Sequence, residues 1–170
     1  LRFELTEEQM DIKQAVREFC EKEFEPELAR KLDREEEFPW DLYKKAAKLG
    51  FIGIHFPEEY GGGGYGVLEN CLVVEEMCRA DSTLGTAIIL GDFASEIILR
   101  FGTEEQKERY LSKVASGEWI SAGAFTEPAH GSDLAACLDT RAVKEGDEWV
   151  INGVKTLITN APIAHFFITL

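Results

Sequence analysis

Apolar side chains at Ile12, Ala15, Val16, Phe19 and Cys20 recur at spacings of three and four, which sets one stripe along a helix. Asp11, Lys13, Arg17, Glu18, Glu21 and Lys22 fall on the other face, as a solvated surface requires. Thr6-Glu7-Glu8-Gln9 ahead of the stripe has capping-box spacing, and the stripe ends before Pro26. Glu27 to Arg34 predicts a short helix, followed by a loop at the acidic run Glu35-Glu36-Glu37. Pro39 to Leu49 predicts another, with Pro at a first helical position, Gly50 just past the end, and Leu42, Ala46 and Leu49 on one side.

The two most apolar segments are Val67–Arg79, with Leu68, Leu72, Val73 and Met77, and Thr83–Phe101, with Ala87, Ile88, Phe93, Ile97 and Ile98. Both predict core helices, the second closed by Gly102. Thr103-Glu104-Glu105-Gln106 is a second capping box, opening a helix through Val114 that ends near Gly117. The count is five to six helices in a bundle. Phe51-Ile52-Gly53-Ile54 is a brief apolar stretch, and Pro57 to Gly64, with four consecutive glycines, predicts a mobile loop. That glycine run follows no strand and has no Gly-Lys-Ser or Gly-Lys-Thr ending, which argues against a phosphate loop.

From Trp119 the period changes. Ile120–Phe125 is a short strand-like run, Val143 and Trp149-Val150-Ile151 flank a turn at Lys144-Glu145-Gly146-Asp147, and Asn152-Gly153 predicts a tight positive-φ hairpin into Val154–Thr159. Ala164–Leu170 is a further strand at which the sequence stops, so the chain reads as a piece of something longer. The expected fold class is α+β: a helical amino-terminal domain over residues 1–118, then the start of an antiparallel β domain over 119–170.

With 45% hydrophobic residues the chain has the means to build a core, which excludes disorder as its main state. A net charge of -14 repels phosphate backbones and anionic lipid, and the densest basic patch is only Lys44, Lys45 and Lys48. Nucleic-acid binding is not expected, nor is a membrane span. Leu1–Glu8 is too acidic for a targeting peptide, which places the chain in the cytoplasm or a mitochondrial matrix. Cys20, Cys71, Cys78 and Cys137 are widely spread and read as buried free thiols; His55, His130 and His165 are too dispersed for a metal set, so no metal is assigned.

Candidate chemistry concentrates at Thr126-Glu127-Pro128-Ala129-His130-Gly131-Ser132-Asp133. A strand broken at proline exposes backbone N–H groups beside Ser132, which suits a phosphate or a carbonyl-rich heterocycle. The alternative is purely structural: Pro128 and Gly131 make a strand-end turn and Asp133 caps the next segment.

This motif, succeeded in order by Gly146-Asp147, Ile151-Asn152-Gly153-x-Lys155 and Ile158-Thr159-Asn160-Ala161, resembles the acyl-CoA dehydrogenases. Leu49-Gly50-Phe51, Pro57-Glu58-Glu59-Tyr60-Gly61-Gly62 and Gly102-Thr103-Glu104-Glu105-Gln106-Lys107 extend the likeness upstream. The resemblance implies a helical domain, a middle β-barrel and a carboxy-terminal helical bundle, of which this chain holds the first and the start of the second, with no catalytic residue. The base, a glutamate in most of the family, belongs to the third domain. It further implies FAD, an acyl-CoA substrate oxidised to a trans-2-enoyl-CoA, electrons passed to an electron-transfer flavoprotein, and a homo-oligomer, tetramer or dimer.

Carried over by position, Gly123, Ala124 and Phe125 would run beside the flavin. Thr126 would bond its pyrimidine side, Ser132 would lie near the pyrophosphate or the pantetheine of the substrate, Thr159 would reach the N5 side, and Gly131, Leu157 and Ile158 would complete the cofactor contacts. Leu157 stands where the family usually has a stacking Trp, and His130 where small residues are common. Thr83–Leu90, with Thr86 and Ile89, would line the acyl pocket; Asp92, the nearest acid, reads as a helix-surface residue, which favours an acyl chain without a second carboxylate. Two alternatives stand beside the dehydrogenase: a noncatalytic helical interaction module, and a related oxidase acting on acyl-CoA or nitroalkanes.

Overall fold

The computed structural model describes residues 3–134 and 138–170; Cys137 lies outside them. Seven α-helices occupy the amino-terminal part of the described residues: α1 (Glu7–Glu23), α2 (Pro26–Glu35), α3 (Trp40–Lys48), α4 (Val67–Ala80), α5 (Ser82–Ile89), α6 (Ser95–Phe101) and α7 (Glu104–Ala115). Both capping boxes form: Oγ1 of Thr6 and of Thr103 accept from the backbone N–H of Gln9 and Gln106, each at 3.2 Å, and the glutamine side chains return the bond. α1 buries Val16, Phe19 and Cys20 against a core that includes Tyr43, Phe56, Met77, Ile88, Leu111 and Val114. No helix among the described residues is long and apolar enough to cross a membrane.

α1 is joined to α4 by charge as well as by packing. Glu76 is 1% exposed and accepts from Arg17 at 3.0 and 3.1 Å and from Arg79 at 2.8 Å, with Lys13 Nζ 3.3 Å away. A carboxylate this enclosed persists because its oxygens are matched by cations.

Several expectations need correction. The Thr83–Phe101 helix is two helices, because the Gly91 carbonyl turns out of the helical path and accepts from the N–H and Oγ of Ser121 at 2.8 and 3.1 Å. Asp92 in that break is no helix-surface residue: its Oδ2 accepts from the Gly53 N–H at 2.9 Å, and burial raises its carboxyl. Leu49, Leu68 and Phe93 are exposed. Of the three described cysteines, all free thiols, only Cys20 is buried, its pKa pushed up to about 11 chiefly by desolvation; Cys71 is exposed.

The glycine-rich loop follows packing more than freedom. Gly62 donates to Pro57 O at 3.2 Å and Gly64 to Phe56 O at 2.8 Å, and a Cβ on Gly62 would lie 2.2 Å from Phe56 O. Gly62→Ala is therefore expected to cost about 1–3 kcal/mol of stability through forced backbone displacement, measurable as a lowered denaturant midpoint at unchanged slope.

The β part contains β1 (Ser121–Ala124), β2 (Arg141–Glu145), β3 (Glu148–Asn152) and β4 (Phe166–Thr169). β2 and β3 form an antiparallel hairpin around Gly146 at φ +64°, whereas β1 pairs with β4 in parallel, Ser121 opposite Phe166, where antiparallel pairing was expected. The expected hairpin at Asn152-Gly153 is absent, and 154–159 is not a strand. Gly153 instead packs on Thr140, whose Oγ1 would lie 2.2 Å from an added Cβ, and the residues after it cross the end of β1: Thr156 N donates to Thr126 O at 2.9 Å and Lys155 Nζ to Phe125 O at 2.9 Å.

Candidate functional site

β1 is buried through Ser121, Ala122 and Ala124 against the helices, and its carboxy-terminal end opens into a bend at Phe125 and Thr126. Glu127 anchors that bend. Its Oε1 accepts from Lys155 Nζ and Thr140 N, each at 2.9 Å, and its Oε2 from Asp139 N at 2.6 Å. Thr140, the Lys155 ammonium and the Asp139 N–H hold its carboxyl far below the usual carboxylate range. Glu127 and His130 exchange backbone hydrogen bonds at 2.9 and 3.1 Å, so Pro128 does sit in a closed strand-end turn.

A cavity of about 280 Å³ lies between this bend, the crossing segment and the end of α5. Gly123, Phe125 and Thr126 form one wall, Leu157, Ile158 and Thr159 a second, and Leu90 and Phe93 a third. The second wall is tied at both ends, by Thr156 N to Thr126 O and by Asn160 Nδ2 to Leu90 O at 3.1 Å. Leu157 and Asn160 adopt φ +57° and +65°, and Leu157 leaves its side chain 88% exposed. A bulky residue in the left-handed region is a conformational cost kept where surrounding structure imposes it. Ser121 Oγ is committed, donating to Gly91 O and accepting from Ala94 N. Among the residues lining the cavity, the hydroxyls of Thr126 and Thr159 remain as the polar side-chain groups.

Six of the expected residues thus meet around one cavity: Gly123, Phe125, Thr126, Leu157, Ile158 and Thr159. Ala124 is buried in β1 and does not line this cavity, Gly131 and Ser132 stand on the exposed turn, Ile89 lines a neighbouring cavity, and Thr86 lies on α5 with Oγ1 3.8 Å from Cys78 Sγ. Lys155 and Asn160, which hold the walls, stood inside the quoted motifs without a role; Leu90 was read as part of an acyl-pocket segment and Phe93 as a core residue, and Leu134 carried no local signal.

One ligand-like atom from each of Glu127, His130 and Asp139 comes within 4.8 Å of the others. Both Glu127 oxygens already accept hydrogen bonds, and Lys155 Nζ at 2.9 Å would repel a cation.

The acyl-CoA dehydrogenase amino-terminal domain model matches residues 6–118 and the middle domain model residues 122–170. The short-chain specific acyl-CoA dehydrogenase of Clostridium acetobutylicum is 44% identical over 169 residues, covering 98% of this chain and 44% of the relative. A chain in a solved structure described as the electron transferring flavoprotein of Acidaminococcus fermentans superimposes with a TM-score of 0.89 at 39% identity, over 99% of this chain and 44% of that one. A glutaryl-CoA dehydrogenase from Mycobacterium smegmatis in complex with FADH2 does so at 0.84 and 32%, over 94% and 41%. The chain belongs to the acyl-CoA dehydrogenase family, as a helical domain followed by the start of its β domain. It spans less than half the length of these relatives.

Proposed function

We propose that this chain supplies one side of the FAD site of an enzyme that oxidises an acyl-CoA thioester to a trans-2-enoyl-CoA and passes the electrons to an electron-transfer flavoprotein. The observation that supports this most is the gathering of Thr126 and Thr159 on opposite apolar walls of one cavity. Its volume is just below the range of whole-ligand pockets, which suits a planar ring and not an entire dinucleotide. Among the described residues, no hydrogen bond engages the backbone N–H of Thr126, Ile158 or Thr159, so donors remain for a heterocycle rich in acceptors.

When bound, FAD supplies the hydride-accepting chemistry. Thr126 orients the ring and offers a hydroxyl where negative charge gathers on reduction; Thr159 holds the other edge; Phe125, Phe93 and Leu90 exclude water. None of the residues lining the cavity is an acid or a base, so removal of the proton α to the thioester falls to a group outside them. Glu127 is not that group, since its carboxylate is spent on Lys155 and two backbone N–H groups.

The visible spectrum of the purified protein tests the reading. Flavin bands that bleach on adding an acyl-CoA support it; a colourless protein that acquires no bands from added FAD overturns it in favour of a noncatalytic module. Thr126→Val is expected to lower the flavin potential by roughly 30–60 mV, the equivalent of about 1.5–3 kcal/mol for a hydrogen bond to a charged group. An unchanged potential in a spectroelectrochemical titration would remove Thr126 from this role. Leu157→Trp is expected to tighten FAD about two- to tenfold and to quench its fluorescence, because an aromatic contact adds about 0.5–1.5 kcal/mol and the side chain here is open to solvent. Weaker FAD binding in that variant would show that the indole does not lie along the ring.

A further inference from the structure

Leu90 and Phe93 border a second cavity of about 340 Å³ on their other side, between α4, the α5–α6 turn and α6. Val74 and Ile89 give it apolar walls, while His55, Asn70, Asp92 and Glu96 give it polar ones. The His55 side chain is 11% exposed, with Nε2 3.3 Å from Glu96 Oε2. In the neutral imidazole whose Nε2–H faces Glu96, the buried Nδ1 is an acceptor, and among the described residues it has no hydrogen-bond partner. Such an atom carries an uncompensated desolvation cost that a bound donor removes. Asp92 adds a second acceptor: Oδ2 takes the Gly53 N–H, and the carboxyl lies in a site buried enough to be raised by desolvation. Arg100, the one cation of the lining, is already paired with Glu96. With Glu96 committed to Arg100 and His55, the Asp92 carboxyl and an orphan imidazole nitrogen face one partly apolar space, a setting that favours a hydrogen-bond donor over an anion.

We infer that this cavity is a specificity subsite for the far end of an acyl chain that terminates in a hydrogen-bond donor, a hydroxyl or an ammonium group. Assigning it to an acyl chain rests on the function proposed above, because Leu90 and Phe93 are the wall it shares with the flavin-side cavity. The donor preference itself rests only on His55 and Asp92.

The Gly53 amide is a local reporter, since its N–H points at Asp92. In a 1H–15N titration with pentan-1-ol, pentylammonium and pentanoate, the two donor-ended probes are expected to shift Gly53 saturably, and pentanoate to bind about tenfold more weakly. Equal or tighter binding of pentanoate, or no probe moving Gly53, would overturn the inference. Asp92→Asn keeps an acceptor for Gly53 while turning an amide N–H toward the cavity, so pentanoate should gain on pentylammonium; an unchanged order counts against the role of Asp92. On the FAD-loaded protein, butyryl-, hexanoyl- and octanoyl-CoA are then compared with their ω-hydroxy and ω-amino counterparts. About tenfold tighter binding of a donor-ended thioester at some chain length supports the subsite. If thioesters bind with no such preference, the subsite falls and the proposed function stands. If no thioester binds while the small probes behave as expected, the proposed function falls and the donor-binding cavity stands.

Discussion

Glu127→Gln is expected to cost about 3–5 kcal/mol of folding stability, because it leaves the ammonium of Lys155, 11% exposed, without its charge partner. The loss reaches the site directly. Glu127 ties the bend after β1 to Asp139 and Thr140, and Lys155 ties the same bend to the crossing segment through Phe125 O. FAD affinity should fall together with stability, while the helical part keeps its secondary structure. Lys155→Met alone should do similar damage, and the double variant Glu127→Gln/Lys155→Met should recover part of it, since the uncharged pair no longer buries an unmatched charge. Denaturant midpoints of the four proteins test this. A loss below about 1 kcal/mol in either single variant would mean that the pair is solvated and does not hold the site together.

Glu76→Gln is expected to weaken the contact between α1 and α4 by about 3 kcal/mol, toward the low end for a broken buried pair because Arg17 and Arg79 remain partly in water. Its pH dependence carries a definite sign. Arg17 first, then Arg79 and Lys13, lower the Glu76 pKa from 4.5 to about 2. A depressed folded-state pKa stabilises above the unfolded value, and that contribution is lost as the pH falls from about 4.5 to about 2. Glu127, depressed further by its own partners, adds to the loss in the same direction. The stability gap between the wild type and Glu76→Gln should therefore be widest near neutrality and shrink below pH 4.5. A gap that stays constant down to pH 2 would show that Glu76 exchanges its proton equally in both states.

The helices were legible where their determinants are local. Thr6 and Gln9, or Thr103 and Gln106, are three residues apart, and such pairs meet whenever the helix forms. The candidate site was legible in part, because the resemblance carried Thr126, Leu157, Ile158 and Thr159 together. Nothing in it said that Ser132 and Ala124 would stay off the cavity. Phe93 was expected in a core and instead stands half in solvent as a wall of the site, since apolar character alone does not separate a core position from a ligand-facing one.

The sequence by itself determined the capped helices, the stripe that α1 buries, the turn at Gly146 and the family motif, all of which depend on neighbours a few positions away. The tertiary structure decided the rest. Gly91 leaves the helix because Ser121, thirty residues on, takes its carbonyl. Asn152-Gly153 has the composition of a hairpin but makes none, because Thr140 fills the space beside Gly153 and Thr126, Phe125 and Glu127 draw Thr156 and Lys155 across the sheet end. Bonds over such separations have no local signature, and once buried they outweigh a turn propensity worth less than one of them.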